Sequence, residues 1–212
     1  MENTLFDILI VGNGVVGHSI AFRLKQGDPD LKIAVLGDPM NSLMASRAAA
    51  GMLAPFSECE TADRFFGFCR ESLEKYPAFI EELVRTSGIP VYFSMSGSLM
   101  PSSQFEGDWE NRKRFLREQN VLHEIWSPEK VREKAPFLAE DCGEVVWVKE
   151  GQVNNRQMHD ALVAASRKLG TVLLEKNVTG FLHDQSFIQA AVTESGEVAG
   201  KRFILAAGSW SK

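Results

Sequence analysis

Long apolar runs are missing from this sequence. Nowhere do its 212 residues approach the roughly 18 consecutive apolar positions of a membrane-spanning helix. A secretion signal is not expected either: Met1 to Asp7 carries no basic region, and the apolar stretch Ile8–Val11 ends at once in glycines. Basic residues are outnumbered and scattered. With 23 Lys and Arg against 28 Asp and Glu, the net charge is -5, and no clustered cationic face of the kind that binds nucleic acid is in sight. Cysteine is scarce. Cys59, Cys69 and Cys142 are odd in number and show no CxxC spacing, so they read as three reduced thiols, which makes the cytoplasm the default location. No grouping of His and Cys has the spacing of a metal site. The four histidines, His18, His123, His159 and His183, read as surface or internally satisfied residues without chemical partners. Repeats and low-complexity segments are also lacking. What is present is an ordinary globular composition, 44% hydrophobic and 24% charged, long enough for one large domain or one domain carrying a smaller insert.

The first 36 residues set the architecture. Leu5 to Val11 is short, apolar and β-branched, as a buried strand should be. Val15 to Gln26 has helical periodicity, with Val16, Ile20 and Leu24 at intervals of four, and stops at Gly27-Asp28-Pro29. Lys32 to Leu36 is a second buried strand. Strand, glycine turn, helix and strand in that order make the βαβ unit of a parallel sheet. A loop is expected from Asp38 to Ser46 and a short helix from Arg47 to Leu53. A long helix follows over Thr61 to Thr86, which Pro77 should kink or split. Ile89 to Met100 reads as a hairpin around a Gly-Ser turn. Helices are expected over Asp108–Gln119 and after Ser127-Pro128-Glu129, where Ser is the N-cap and Pro the first helical position. A strand is expected over Glu144–Lys149. Asn154 caps a helix that runs to Leu169 and ends at Gly170. Strands then follow over Val172–Glu175, Val178–His183, Phe187–Thr193 and Arg202–Ala206, with a turn at Ser195-Gly196-Glu197.

Gly12-Asn13-Gly14-Val15-Val16-Gly17 fits G-x-G-x-x-G between that first strand and that first helix, the context a dinucleotide loop requires. The first glycine permits the tight turn, the second lets backbone approach a pyrophosphate, and the third lets the helix pack close to the strand. The helix N-terminus offers free N–H groups and a partial positive charge to the phosphates. One feature departs from the pattern. An acid normally ends the second strand and bonds the adenosine ribose. Here Leu36 is followed by Gly37, and Asp38 stands one position late. Either Asp38 takes that role or it is a turn residue before Pro39.

Ala45-Ser46-Arg47-Ala48-Ala49-Ala50-Gly51-Met52-Leu53 is a second signature, because small residues let backbone lie close to a planar ligand. Read alone it is equally a tightly packed alanine helix. Placed after a dinucleotide loop, it resembles the S-x-A-A-A-G-M-L segment of glycine oxidases in the D-amino acid oxidase family. Glu58-Cys59-Glu60 with the following Phe65-Phe66 helix, Glu150-Gly151-Gln152-Val153, and Ile204-Leu205-Ala206-Ala207-Gly208-Ser209-Trp210-Ser211 are also similar to that family.

The resemblance implies an FAD-dependent amino acid or amine oxidoreductase that moves a hydride from a small amino acid to flavin and leaves an imine. It implies FAD contacts at Gly12, Gly14, Val15, Val16, Gly17, Asp38, Ala45, Ser46, Ala50, Gly51, Met52, Val178, Ala207 and Gly208. Met52 would also face the substrate, and Trp210 would pack behind the Ala207-Gly208 turn. The partners implied are a small amino acid or amine and an electron acceptor, oxygen or another. Peripheral membrane contact follows if that acceptor is a quinone. In the family, the substrate-binding Arg and Tyr and a last glycine-rich FAD loop lie beyond the equivalent of Gly208, so the sequence reads as C-terminally truncated and no catalytic side chain is nominated. The expected fold is α/β: a discontinuous Rossmann-like FAD/NAD(P)-binding domain, 1–90 and 150–212, with a partial α+β substrate-side domain at 91–149. Glu58 and Glu60 stand either near the site entrance or in a solvated turn. Two other classes stay open. One is a non-catalytic FAD-binding module, self-associating or completed by another chain; the other is an NAD-dependent dehydrogenase, against which the alanine run and the closing A-A-G-S-W argue.

Overall fold

The computed structural model describes residues 5–38, 44–105, 107–184 and 187–211. The chain divides into two compact units. One comprises 1–50, 80–92 and 154–212; the other comprises 51–79 and 93–153. Gly51–Phe79 lies in the second unit together with 93–153, outside the 91–149 insert expected from sequence. The reason lies in strand pairing: Met52–Leu53 pairs with Gly151–Gln152, both within the second unit.

The first unit is built on a four-stranded sheet in the order Phe203–Leu205, Ile8–Val11, Ile33–Leu36, Val172–Leu174, and every neighbouring pair is parallel. All four residues of Ile8–Val11 and all four of Ile33–Leu36 are buried. That explains their unbroken apolar runs, since a parallel strand is covered on both faces. Alternation sorts them. Ile8, Ile10, Ile33 and Val35 pack with Ala21, Ile20 and Leu24 of the Val15–Gly27 helix. Leu9, Ala34, Leu36 and Leu174 pack with Ala191 and Val198. The latter two come from a three-stranded antiparallel sheet, Val178–Asp184, Phe187–Thr193 and Gly196–Ala199. The Asn155–Lys168 helix opens at Asn154, whose side chain accepts the Gln157 N–H at 3.1 Å, and runs alongside the Val15–Gly27 helix.

The second unit holds two small antiparallel sheets. Met52–Leu53, Gly151–Val153 and Phe93–Ser94 form one; Ser98–Pro101, Val145–Val148 and His123–Trp126 form the other. The hairpin expected over Ile89–Met100 is therefore not one. Its two arms pair with different strands, because each gains a long-range partner that covers it better than a local turn would. The strands His123–Trp126 and Gly151–Val153 were not foreseen. Phe66, Met100, Phe115, Leu116, Val121, Val146 and Val148 form the core of this unit.

Arg64–Ser87 is one continuous helix with Pro77 inside it, neither split nor divided in two. Proline removes one backbone hydrogen bond. The helix keeps an amphipathic burial pattern on both sides of it, with Leu73, Ile80 and Leu83 almost fully buried. The loop expected over Asp38–Ser46 lies outside the described residues at positions 39–43, and the helix after it occupies Ala45–Ala48 rather than Arg47–Leu53. Ala49 is already extended and Gly51 has φ +81°, so the chain leaves the helix there and enters the Met52–Leu53 strand. Among the described residues, no helix is long and apolar enough to cross a membrane.

Leu9 is 0% exposed and stands where the parallel sheet meets the antiparallel one. Leu9→Ala should lower the unfolding free energy by about 2–5 kcal/mol, read from urea denaturation. A loss below about 1 kcal/mol would show that this interface is not well packed.

Candidate cofactor site

The glycine loop leaves the C-terminal end of Ile8–Val11, flanked by the ends of Ile33–Leu36 and Phe203–Leu205. Outside the carboxyl ends of parallel strands is where open α/β sheets bind ligands. Each glycine of the motif has a separate steric reason. Gly12 has φ +126°, and a Cβ there would lie 2.2 Å from the Ala206 carbonyl oxygen. A Cβ on Gly17 would lie 2.0 Å from the Gly12 carbonyl oxygen. Gly14 is the helix N-cap and makes no side-chain cap bond; a Cβ there would lie 3.1 Å from Ser46 Oγ. The Gly12 N–H donates to Leu36 O at 2.9 Å and the Ala206 N–H to Val11 O at 2.7 Å, which stitches the three strand ends together.

The first intrahelical bond runs from the His18 N–H to Gly14 O at 3.1 Å. The N–H groups of Val15, Val16 and Gly17 therefore have no partner inside the helix. Val15 donates to Ser46 Oγ at 3.0 Å, and the Ser46 hydroxyl keeps its own hydrogen to donate. Val16 is exposed, and the first turn contains no acid to repel an anion. Ala45 and Ala50 are exposed on the same segment as Ser46. Ala207 and the exposed Gly208, with φ +58°, form the turn beyond the third strand. Val178 opens its strand opposite Thr193 and packs half-buried on the Leu9 cluster.

Gly37 explains the displaced acid. It has φ +143°, and a Cβ there would meet Asn13 Cβ at 3.0 Å and Asn13 N at 3.2 Å. The Asn13 Nδ2 also donates to Gly37 O at 3.1 Å. A glutamate or aspartate at 37 would collide with the loop, so the acidic residue, Asp38, follows on the exposed side. Trp210 does not pack behind the Ala207-Gly208 turn. It is 65% exposed, in a single 3-10 turn Gly208–Trp210 past the 55% exposed Leu205, and it leaves the sheet rather than covering it.

Gly51 and Met52 belong to the second unit. Met52 is exposed at the wall of an apolar cavity of about 400 Å³, which is also lined by Leu53, Phe65, Phe68, Cys69 and Tyr76. Glu58 and Cys59 stand on its rim, while Glu60 is solvated. Burial is the main reason the Cys59 thiol is pushed above its usual range, with Cys69 adding to it. The turn at this rim is held by two groups that sequence reasoning missed. Glu150, 1% exposed, accepts the backbone N–H groups of Phe56 and Ser57 and the Ser57 hydroxyl. Arg112, 4% exposed, donates to the carbonyls of Ser57 and Cys59.

Two histidines are internally satisfied, and their partners lie in and beside the glycine loop. His18 and His159 are 0% and 1% exposed, and both are hydrogen-bonded to the glycine loop. His18 Nε2 bonds Asn13 Oδ1 and its Nδ1 faces Ser166 Oγ at 3.3 Å. His159 Nε2 bonds Asn13 O at 2.8 Å. The spacing Asn155–His159–Leu162–Ser166 was the available signal: it is one helix face, and every member is polar or buried. His123 only caps its own strand through Val121 O at 2.8 Å, and His183 is exposed.

A family model for FAD dependent oxidoreductases matches residues 7–212. The chain belongs to that family. Among its relatives, the bifunctional protein ThiO/ThiG of Synechocystis sp. is 31% identical over 212 residues, 99% of this chain and 31% of that protein. Glycine oxidase of Bacillus subtilis is 29% identical over 211 residues, 97% of this chain and 55% of that enzyme. The crystal structure of glycine oxidase from Geobacillus kaustophilus superposes with a TM-score of 0.89 at 27% identity, covering 98% of this chain and 56% of that one. The chain thus spans a third to about half of the length of these relatives. The resemblance drawn from the glycine loop and the alanine run is borne out, as is the α/β fold.

The residues fit the family's cofactor. The Cβ positions of Gly12 and Gly14 are taken up by the Ala206 carbonyl and Ser46 Oγ, so no side chain of these glycines stands over the loop backbone, and the donors beside it are backbone amides and one hydroxyl, suited to a pyrophosphate.

Burial is the main cause that pushes His18 down to about 3, with His159 and Arg167 adding to it. The folded state holds the ring neutral, whereas the unfolded chain titrates near the ordinary 6.5. Between these values the unfolded state binds the extra proton, so this contribution to stability is complete above pH 6.5 and is lost progressively as pH falls toward 3. The melting temperature should therefore drop more steeply on acidification in the parent chain than in His18→Gln. Equal slopes would show that His18 does not titrate in this way.

Proposed function

We propose that this chain binds FAD and forms the dinucleotide-binding part of an amino acid or amine oxidoreductase of the glycine oxidase type. The observation that carries the reading is the loop of Gly12, Gly14 and Gly17, which bears no side chain at those positions, with the Val16 and Gly17 N–H groups that have no partner inside the helix and the Ser46 hydroxyl beside them. In this reading Gly12, Gly14, Val15, Val16, Gly17 and Ser46 receive the pyrophosphate. Ala45, Ala50, Gly51 and Met52 line the flavin, Val178 meets the adenine through its backbone, and Ala207 and Gly208 close the turn against the cofactor. Asp38, exposed at the strand end, is the candidate for the ribose. Met52 also faces the substrate.

Bound FAD would supply the hydride acceptor that takes the C–N bond of a small amino acid to an imine, with oxygen or another acceptor re-oxidising it. This chain's share is to hold, orient and shield. The helix N-terminus compensates the phosphate charge without a cation, and the small residues let backbone approach closely. No side chain in the described residues is assigned a proton-transfer role. The substrate-side role falls to the second unit, with its apolar cavity beside Met52. The free thiols Cys59, Cys69 and Cys142 fit a reducing compartment, and the cytoplasm is the location proposed.

The purified chain, with FAD added if it is colourless, should show the two visible-region flavin bands. Anaerobic addition of glycine, sarcosine or D-alanine should bleach them. Bands that no amine bleaches would assign the chain as an FAD-binding module without oxidase activity. No bands in excess FAD would reject the cofactor reading. Gly12→Ala, which drives a methyl into the Ala206 carbonyl, should weaken FAD binding about five- to 150-fold, as a strain of about 1–3 kcal/mol implies. Unchanged affinity would place the pyrophosphate elsewhere.

A further inference from the structure

We infer that His159 is the positioning residue of the glycine loop: its imidazole fixes the Asn13–Gly14 peptide so that the Gly14 N–H is aimed for a dinucleotide phosphate. The inference rests on the FAD reading above. His159 lies one turn after Asn155 on the Asn155–Lys168 helix and is 1% exposed. Its Nε2 is 2.8 Å from the Asn13 carbonyl oxygen. A carbonyl can only accept, so Nε2 carries the hydrogen and Nδ1 is a bare lone pair. Arg47 Nη1 stands 3.3 Å from that Nδ1. Arginine does not give up its proton, so it donates, and the tautomer is set from both sides.

The consequence for the loop follows from peptide planarity. The Asn13 carbonyl and the Gly14 N–H are the two ends of one trans peptide and point in opposite directions. Holding the carbonyl against His159 turns the N–H of the second motif glycine away from the protein interior. The Asn13 side chain pins the same peptide from a second direction, with Nδ2 on Gly37 O and Oδ1 on His18 Nε2.

The same helix grips the other segment that borders the loop. Asn155 Nδ2 donates to Ser46 O at 2.7 Å and Arg156 Nε to Arg47 O at 3.2 Å. Arg47 is also paired with the Asp160 carboxylate. His159 therefore sits between two elements that must keep register: the glycine loop, through Asn13 O, and the Ala45–Ala48 turn, through Arg47. That turn supplies the Ser46 hydroxyl that accepts from Val15 N–H.

The test compares FAD affinity and apo melting temperature in three variants. Glutamine places an amide donor near the original Nε2, whereas asparagine mimics Nδ1 and cannot reach Asn13. His159→Leu should raise the FAD dissociation constant about tenfold, the cost of one lost hydrogen bond to a buried carbonyl. His159→Asn, which keeps a polar partner for Arg47 and disturbs the fold less, should weaken binding similarly. His159→Gln should stay within about threefold of the parent chain, a few tenths of the hydrogen-bond energy. A packing role alone would shift melting temperatures and leave the three affinities alike. Gln as weak as Leu, or all three variants as tight as the parent, overturns the inference. A parent chain that binds no FAD at all defeats the cofactor reading, and this inference with it.

Discussion

A side chain at position 12 has nowhere to go. The Ala206 carbonyl oxygen lies 2.2 Å from where its first carbon would be, well inside van der Waals contact, and the rest of the first unit is arranged around that absence. Because Gly12 can pass under Ala206, the ends of the Ile8–Val11 and Phe203–Leu205 strands come together. Because Gly17 can press on Gly12, the helix starts at once and presents its N–H groups at the same spot.

Beneath the loop the constraint is polar. Asn13, His18, His159 and Ser166 are nearly or fully buried, and each is hydrogen-bonded within the group or to neighbouring backbone. Burying such groups is costly unless they are paired. A network of this kind therefore tolerates few substitutions and leaves the loop few alternative conformations. In the second unit Glu150 and Arg112 hold the turn at the cavity rim, the one accepting its N–H groups and the other donating to its carbonyls.

How much of this could be read beforehand depended on the range of the interaction. The βαβ unit was legible because it is local: buried strands read as unbroken apolar runs, and the motif glycines sit where the first strand turns into the helix. The Asn154 and Ser127 caps were legible for the same reason. The pairing of Met52–Leu53 with Gly151–Gln152, and the separate partners of the two arms of Ile89–Met100, depend on residues dozens of positions away and leave no local trace. The site was half visible. Glycines and small residues announce close approach, but His159 looks like any helical histidine until Asn13, 146 positions earlier, is placed beside it. Gly37 shows the limit most clearly. Its departure from the acidic pattern reads as a defect in the sequence and as a steric requirement in the structure.

The register of Leu9 with Phe203 has a temporal side. The strand Ile8–Val11 waits for a neighbour made far along the chain, and contacts so distant in sequence are slow to form. On the ribosome, where N-terminal segments emerge first, Ile8–Val11 and its glycine turn are synthesised long before Ala206 exists to close over Gly12. Until then the turn lacks one wall. The glycine turn therefore reaches its final form only once Ala206 has been made, long after the βαβ unit that carries it.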